Sequence, residues 1–125
     1  MNEITMSFGG YLTKLREGRG MTLRRMAQEL EVSPPFISDV EKDRCAPLTA
    51  DRIETVSMIL HLTPDEKTAL YDLAGKQRDT VAPDLPEYIK GKAYVSVALR
   101  TARDLDADEA DWLAFVERLK KKREG

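Results

Sequence analysis

The chain has 125 residues, 20 Lys+Arg against 22 Asp+Glu and a formal net charge of −2, which fits one small domain with an appendage and excludes a protein that coats nucleic acid by bulk charge. Hydrophobic residues make up 42% of it, enough for one core and too much for a disordered chain. The longest apolar run, Trp112 to Val116, is too short to span a membrane, and a single Cys and a single His exclude a disulfide framework and a multi-ligand Cys/His metal site.

Apolar residues recur with helical spacing almost throughout. Phe8, Tyr11, Leu12 and Leu15 fall at i, i+3, i+4 and i+7, as do Leu23, Met26, Ala27 and Leu30. Ile53, Val56, Ser57 and Leu60 repeat the pattern, followed by Val95, Ala98, Leu99 and Ala102 and by Trp112, Phe115, Val116 and Leu119. Each set forms a stripe on one helix face, and no segment alternates with period two for long, so an all-α fold is expected. Thr22, Ser33, Thr49, Thr63 and Asp106 stand where they can cap the helices that follow. Thr63-Pro64-Asp65-Glu66 and Asp106-Ala107-Asp108-Glu109 read as capping boxes, and Met21/Met26, Val32/Ile37 and Leu48/Ile53 as hydrophobic staples. The predicted helices are Ser7–Gly18, Leu23–Glu31, Pro34–Lys42, Ala50–Leu60, Pro64–Lys76, Tyr94–Leu105 and Ala107–Lys122, with a short turn around Pro86–Lys90. Gly9 and Gly10 weaken the start of the first by about 1 kcal/mol each relative to Ala.

The stretch Gly75 to Pro86 is poor in apolar residues and carries two Pro, reading as a linker or a pinned loop. The expected organisation is therefore a domain over 7–75, a linker over 76–86 and a C-terminal helical appendage over 87–125. The opening MNEITMSFGG has no apolar stretch, so no secretory signal is expected and the cytoplasm is the default location.

The informative segment is Thr22 to Pro47. Its two short helices, about 23–31 and 34–42, are separated by too few residues for an antiparallel hairpin, which fits the steep crossing of a helix-turn-helix. Ala27 lets the second helix approach closely, with Met26, Leu30, Val32, Ile37 and Val40 as shared core. Pro34, Pro35, Ser38, Asp39 and Lys42 are left on an outward face able to enter a major groove.

The run Leu15-Arg16-Glu17, Gly20-Met21-Thr22, Met26-Ala27, Leu30, Val32-Ser33, Ile37-Ser38, Val40-Glu41 and Pro47 resembles the helix-turn-helix of phage lambda repressor and Cro-like regulators, the Xre family. The resemblance covers about residues 7–62 and implies a five-helix DNA-binding domain. It also implies an ion pair between Arg16 and Glu41 that ties the first helix to the recognition helix. Glycines usual at helix ends in that family are replaced by Glu31, Asp43 and His61, so positive φ is expected at Glu31 and at Asp43 or His61. Leu23 stands where the family often has a phosphate-contacting Gln, and that contact is not carried over.

Residues 1–61 hold 8 basic and 9 acidic side chains. DNA affinity must therefore come from placement, with Arg24, Arg25, Lys42, Arg44 and Arg52 around the groove face and helix N-termini aimed at phosphates. The plainer alternative for these cations is an ordinary mixed surface. Pro34 suits helix initiation, and Pro34 and Pro35 can also touch a thymine methyl. Asp39 accepts only from cytosine or adenine amines, sharpening specificity at a cost in affinity. Phe36 reads mainly as partial core, Cys45 as a loop thiol and His61 as a helix end. The acidic start and basic end of the last helix suit its dipole. Its stripe of Trp112, Phe115 and Leu119, with Leu99, needs a partner, either within the chain or on another.

The leading expectation is a sequence-specific transcriptional regulator, a repressor acting on double-stranded DNA as a homodimer. The alternative is an antitoxin whose C-terminal helices bind a toxin protein and which also binds its own operator. No nucleophile–base pair, carboxylate dyad or phosphate-cradling Gly loop is present, so neither enzymatic activity nor a cofactor is expected.

Overall fold

A computed structural model describes residues 6–124. Residues 1–5, on which the expectation of no leader partly rests, and residue 125 lie outside the described residues. Among the described residues there are eight helices and no strand: α1 (Phe8–Gly18), α2 (Leu23–Leu30), α3 (Pro34–Glu41), α4 (Ala50–Leu60), α5 (Pro64–Gln77), α6 (Asp84–Ile89), α7 (Ala93–Asp104) and α8 (Glu109–Glu124). The protein is all-α, as the periodicity predicts.

Local chemistry starts these helices. Ser7, Thr22, Ser33, Thr49 and Thr63 are extended N-caps whose hydroxyls accept the backbone N–H three residues on. At Thr63 the box is complete, because Glu66 also accepts the Thr63 N–H at 2.9 Å. The second expected box is displaced. Asp106 does not cap α8. It sits at φ 56°, beyond the end of α7, where Ala107 N–H donates to the Ala102 carbonyl at 2.8 Å. That closure holds residue 106 left-handed, whereas an N-cap is extended. Asp108 and Asp111 form the box instead, each carboxylate accepting the other's N–H at 2.9 and 3.0 Å.

The same closure ends α1, α2, α3, α4 and α5. The N–H groups of Met21, Val32, Arg44, Leu62 and Thr80 donate five residues back at 2.8–3.1 Å. The residue before each of these has positive φ. Only the first is a glycine, Gly20; the others are Glu31, Asp43, His61 and Asp79.

Two compact units are distinguished, residues 1–88 and 89–125. In the first, the expected stripes converge. Phe8, Leu12, Met26, Ile37, Leu48, Ile53, Val56, Leu60 and Leu70 are buried, with Val32 and Phe36 partly buried against them. Helix α3 packs on both α2 and α1, while α1 and α4 pack on α5. Gly9 proves to be a packing residue: a Cβ there would strike the carbonyls of Val40 and Glu41 on α3. The stretch after α5 is packed too. Ala82 is buried, and a Cβ on Gly75 would lie 2.7 Å from the Ala82 nitrogen. Arg78 donates to the Pro47 carbonyl. In the second unit neither α7 nor α8 buries a residue. Among the described residues no helix is long and apolar enough to cross a membrane.

Candidate nucleic-acid interface

Helices α2 and α3 are joined by Glu31, Val32 and Ser33, and the turn is set from both ends. Glu31 is left-handed at φ 58°, closing α2, and Ser33 Oγ accepts the Phe36 N–H at 3.2 Å, opening α3. Ala27, fully buried, lies at their junction, where a larger side chain would hold the helices apart. Ile37 and Val40 point α3 into the core. The other side of α3 carries the exposed Pro34 and Pro35 and the half-buried Ser38 and Asp39, with exposed Lys42 at its end.

The support beneath α3 is ionic as well as apolar. Arg16 is 8% exposed and grips Glu41 with two parallel bonds, Nε to Oε2 at 2.7 Å and Nη2 to Oε1 at 3.0 Å. Its Nη1 donates to the Met21 carbonyl at 2.9 Å, so one guanidinium joins α1, the α1–α2 turn and α3. Hydrogen bonding to Glu41, opposed by burial, raises the Arg16 pKa further above its ordinary value. A second tie was not visible in the sequence. Asp43, just past α3, accepts the Gly9 N–H at 2.9 Å and so satisfies a donor at the start of α1.

The five expected cations are not equivalent. Arg25 pairs with Glu29 at 3.0 Å. Arg44, well exposed, lies 3.7 Å from the partly exposed Asp39. The Arg52 guanidinium stands 5.3 Å over the Phe36 ring, a cation–π contact that holds it beside α3. Arg24 and Lys42 are exposed and make no ion pair among the described residues. The Asp39–Arg44 pair partly neutralises the one carboxylate on the outward face of α3.

Backbone donors are also unequal. Pro34 and Pro35 have no N–H, and those of Phe36 and Ile37 both donate to Ser33, so the first turn of α3 offers a phosphate no free donor. In α2 the Thr22 cap takes Arg25 and Met26, which leaves the N–H groups of Leu23 and Arg24 without an intrahelical acceptor. The expectation of helix N-termini aimed at phosphates narrows to α2 at this motif. Cys45 is half-buried against the core and His61 ends α4 with φ 53°. Among the described residues no cluster of His, Cys, Asp and Glu could hold a metal ion.

In the second unit Leu99, Trp112, Phe115 and Leu119 are all exposed, at 41%, 41%, 47% and 44%, far in sequence from the α2–α3 pair.

Residues 7–70, just over half of the chain, match the protein family described as a helix-turn-helix domain. No curated protein matches the chain. Among solved structures, the complex of SinR protein with SinI protein is similar at 15% identity, over 94% of this chain and 99% of that one, with a TM-score of 0.45.

Proposed function

The chain belongs to the helix-turn-helix domain family, and we propose that it is a sequence-specific transcriptional regulator, a repressor that binds operator DNA as a homodimer in the cytoplasm. The observation that carries this reading is the outward face of α3: a polar strip of Ser38, Asp39 and Lys42 on a helix anchored from behind by Ile37, Val40 and the Arg16–Glu41 pair. A rigid polar helix of this kind is what a major groove admits. In the proposed complex Ser38, Asp39 and Lys42 meet base edges and Pro34 and Pro35 a thymine methyl. Arg24, Arg25 and Arg44 meet phosphates, joined by the free N–H groups of α2. Residues 7–75 form the DNA-binding domain, 76–86 the connection and 87–125 the segment that pairs two copies, through Leu99, Trp112, Phe115 and Leu119. Two-fold pairing places half-sites about 34 Å apart and compensates for the small interface of one module.

Selection of bound fragments from randomised duplex DNA tests this. A palindromic site is expected, with affinity falling steeply as salt rises. In Asp39→Ala one position of that site should relax by ~1–3 kcal/mol, while freed Arg44 raises affinity for all sequences. Failure to enrich any site would refute the reading, and an unchanged profile for Asp39→Ala would remove Asp39 as a reader.

A further inference from the structure

Helix α8 has 16 residues and buries none of them. An isolated helix of that length is marginal in water and gains its stability from packing. Its apolar stripe is preformed, with Trp112 and Phe115 in edge-to-face contact at 6.4 Å between ring centroids and Val116 and Leu119 continuing it. Of the thirteen large hydrophobic residues exposed among the described residues, nine lie between Tyr94 and Leu119, and the other four, Met58, Val81, Leu85 and Tyr88, come from the first unit. The surface best matched to the stripe in apolar content is therefore another copy of the same segment.

The charges around the stripe select one orientation. The first turn of α8 holds Glu109 and Asp111 and its last turn Lys121, Lys122 and Arg123. Helix-dipole complementarity accounts for that order of signs but not for its spacing about the stripe. Glu109 and Lys120 lie on one flank of the stripe and Asp111 and Lys122 on the other, at about 3.6 residues per turn. Glu109 and Lys122 lie equally far from the midpoint between Phe115 and Val116, and so do Asp111 and Lys120, which leaves the acid and base of each flank offset by only two residues, about 3 Å along the axis.

We propose that the stripe of α8 is covered by α8 of a second copy lying antiparallel, with the two-fold axis passing near Phe115 and Val116. The proposal rests on the homodimer reading above and names its contact. In this register Trp112 packs against Leu119 of the partner subunit. Glu109 comes beside Lys120 of the partner subunit and Asp111 beside Lys122 of the partner subunit, each contact occurring twice by symmetry. A parallel pair would set acid against acid and base against base. The contact that Lys120 makes within the chain, with Glu117 at 3.8 Å, is solvent-exposed and competes weakly.

Sedimentation equilibrium of the full chain at low salt tests this with three charge variants. Glu109→Lys/Asp111→Lys and Lys120→Glu/Lys122→Glu should each weaken self-association by about tenfold or more. The quadruple variant carrying all four changes should restore it to within a few-fold. The quadruple opposes the helix dipole more than either double variant, so restoration cannot come from a stabler helix. Double variants as dimeric as the unaltered protein would overturn the α8 pairing and leave the homodimer standing on another surface. An unaltered protein that stays monomeric throughout the micromolar range would overturn both.

Discussion

Five non-glycine residues share one backbone problem and are not equally replaceable. Glu31 is exposed, sits at φ 58° and has a side chain that makes no hydrogen bond or ion pair among the described residues. Glu31→Gly removes left-handed strain of about 1 kcal/mol and should raise the melting temperature or leave it unchanged. Asp43 has the same φ of 58°, but its carboxylate accepts the Gly9 N–H at 2.9 Å. Asp43→Gly relieves the strain and orphans that donor, so it should gain less than Glu31→Gly or lose stability. Parallel thermal melts separate the two, and equal gains would show that the Asp43–Gly9 bond contributes nothing. Gly9→Ala should cost ~1–3 kcal/mol, because the added methyl meets the Val40 and Glu41 carbonyls and α1 must retreat from α3.

Between elements the Arg16–Glu41 pair is the most exacting contact. Both side chains are nearly buried, at 10% and 6% exposure, so removing either strands the other. Arg16→Met should destabilise by ~3–5 kcal/mol, a large share of a small domain's stability. The double variant Arg16→Met/Glu41→Met should recover most of that loss, since an apolar pair carries no desolvation penalty. Urea titration of the two variants reads the difference, and a double variant no better than the single would show that the pair is worth more than its mutual rescue. The capping box at Thr63 is exposed and worth less: Thr63→Ala should cost about 1 kcal/mol.

Over the whole molecule, acid and chain length both probe how the first unit is held. Arg19 Nη2 bonds Glu66 at 2.6 Å and Arg19 Nε bonds the Leu60 carbonyl at 2.9 Å, joining the end of α1 to α4 and α5. The Glu66 carboxyl is held below its ordinary value of 4.5 by Arg19 and the Thr63 N–H, and Glu54 likewise by Tyr71 and Lys67. A carboxyl with a depressed folded pKa contributes stability that is complete above about pH 4.5 and is lost as the pH falls through the folded value. The melting temperature should therefore drop on acidification below that point, and Glu66→Gln should flatten the drop. Unaltered acid dependence in Glu66→Gln would remove the Arg19 contact from the account. A chain ending at Tyr88 should keep the folded first unit, whereas one ending at Thr80 loses Ala82 from the core and the packing against Gly75. Comparison of their melts checks this, and equal stability would show the 81–88 segment to be dispensable.

Much of this architecture was legible in the residues because its causes are local. Caps, helical stripes and the three-residue gap at Glu31-Val32-Ser33 act over a few positions; the left-handed closures at Glu31, Asp43 and His61 are local too, but could be expected only from the glycines usual in the resembled family. The closures at Asp79 and Asp106 follow the same rule but were masked: the first lies in a stretch that reads as loop, and Asp106 resembles an N-cap by residue type alone. Pairing of Arg16 with Glu41 could be expected only through the family resemblance. Only the tertiary structure decided that Gly9 is a contact rather than a weakness, that Asp43 serves α1, and that the stretch after α5 packs back against it. It also divided the cations: among the described residues Arg24 and Lys42 make no ion pair, while Arg25, Arg44 and Arg52 are engaged. A pattern of residue types records which faces are apolar and where turns close. It does not record the distance between segments thirty residues apart, and that distance sets whether a methyl fits or a charge finds its partner.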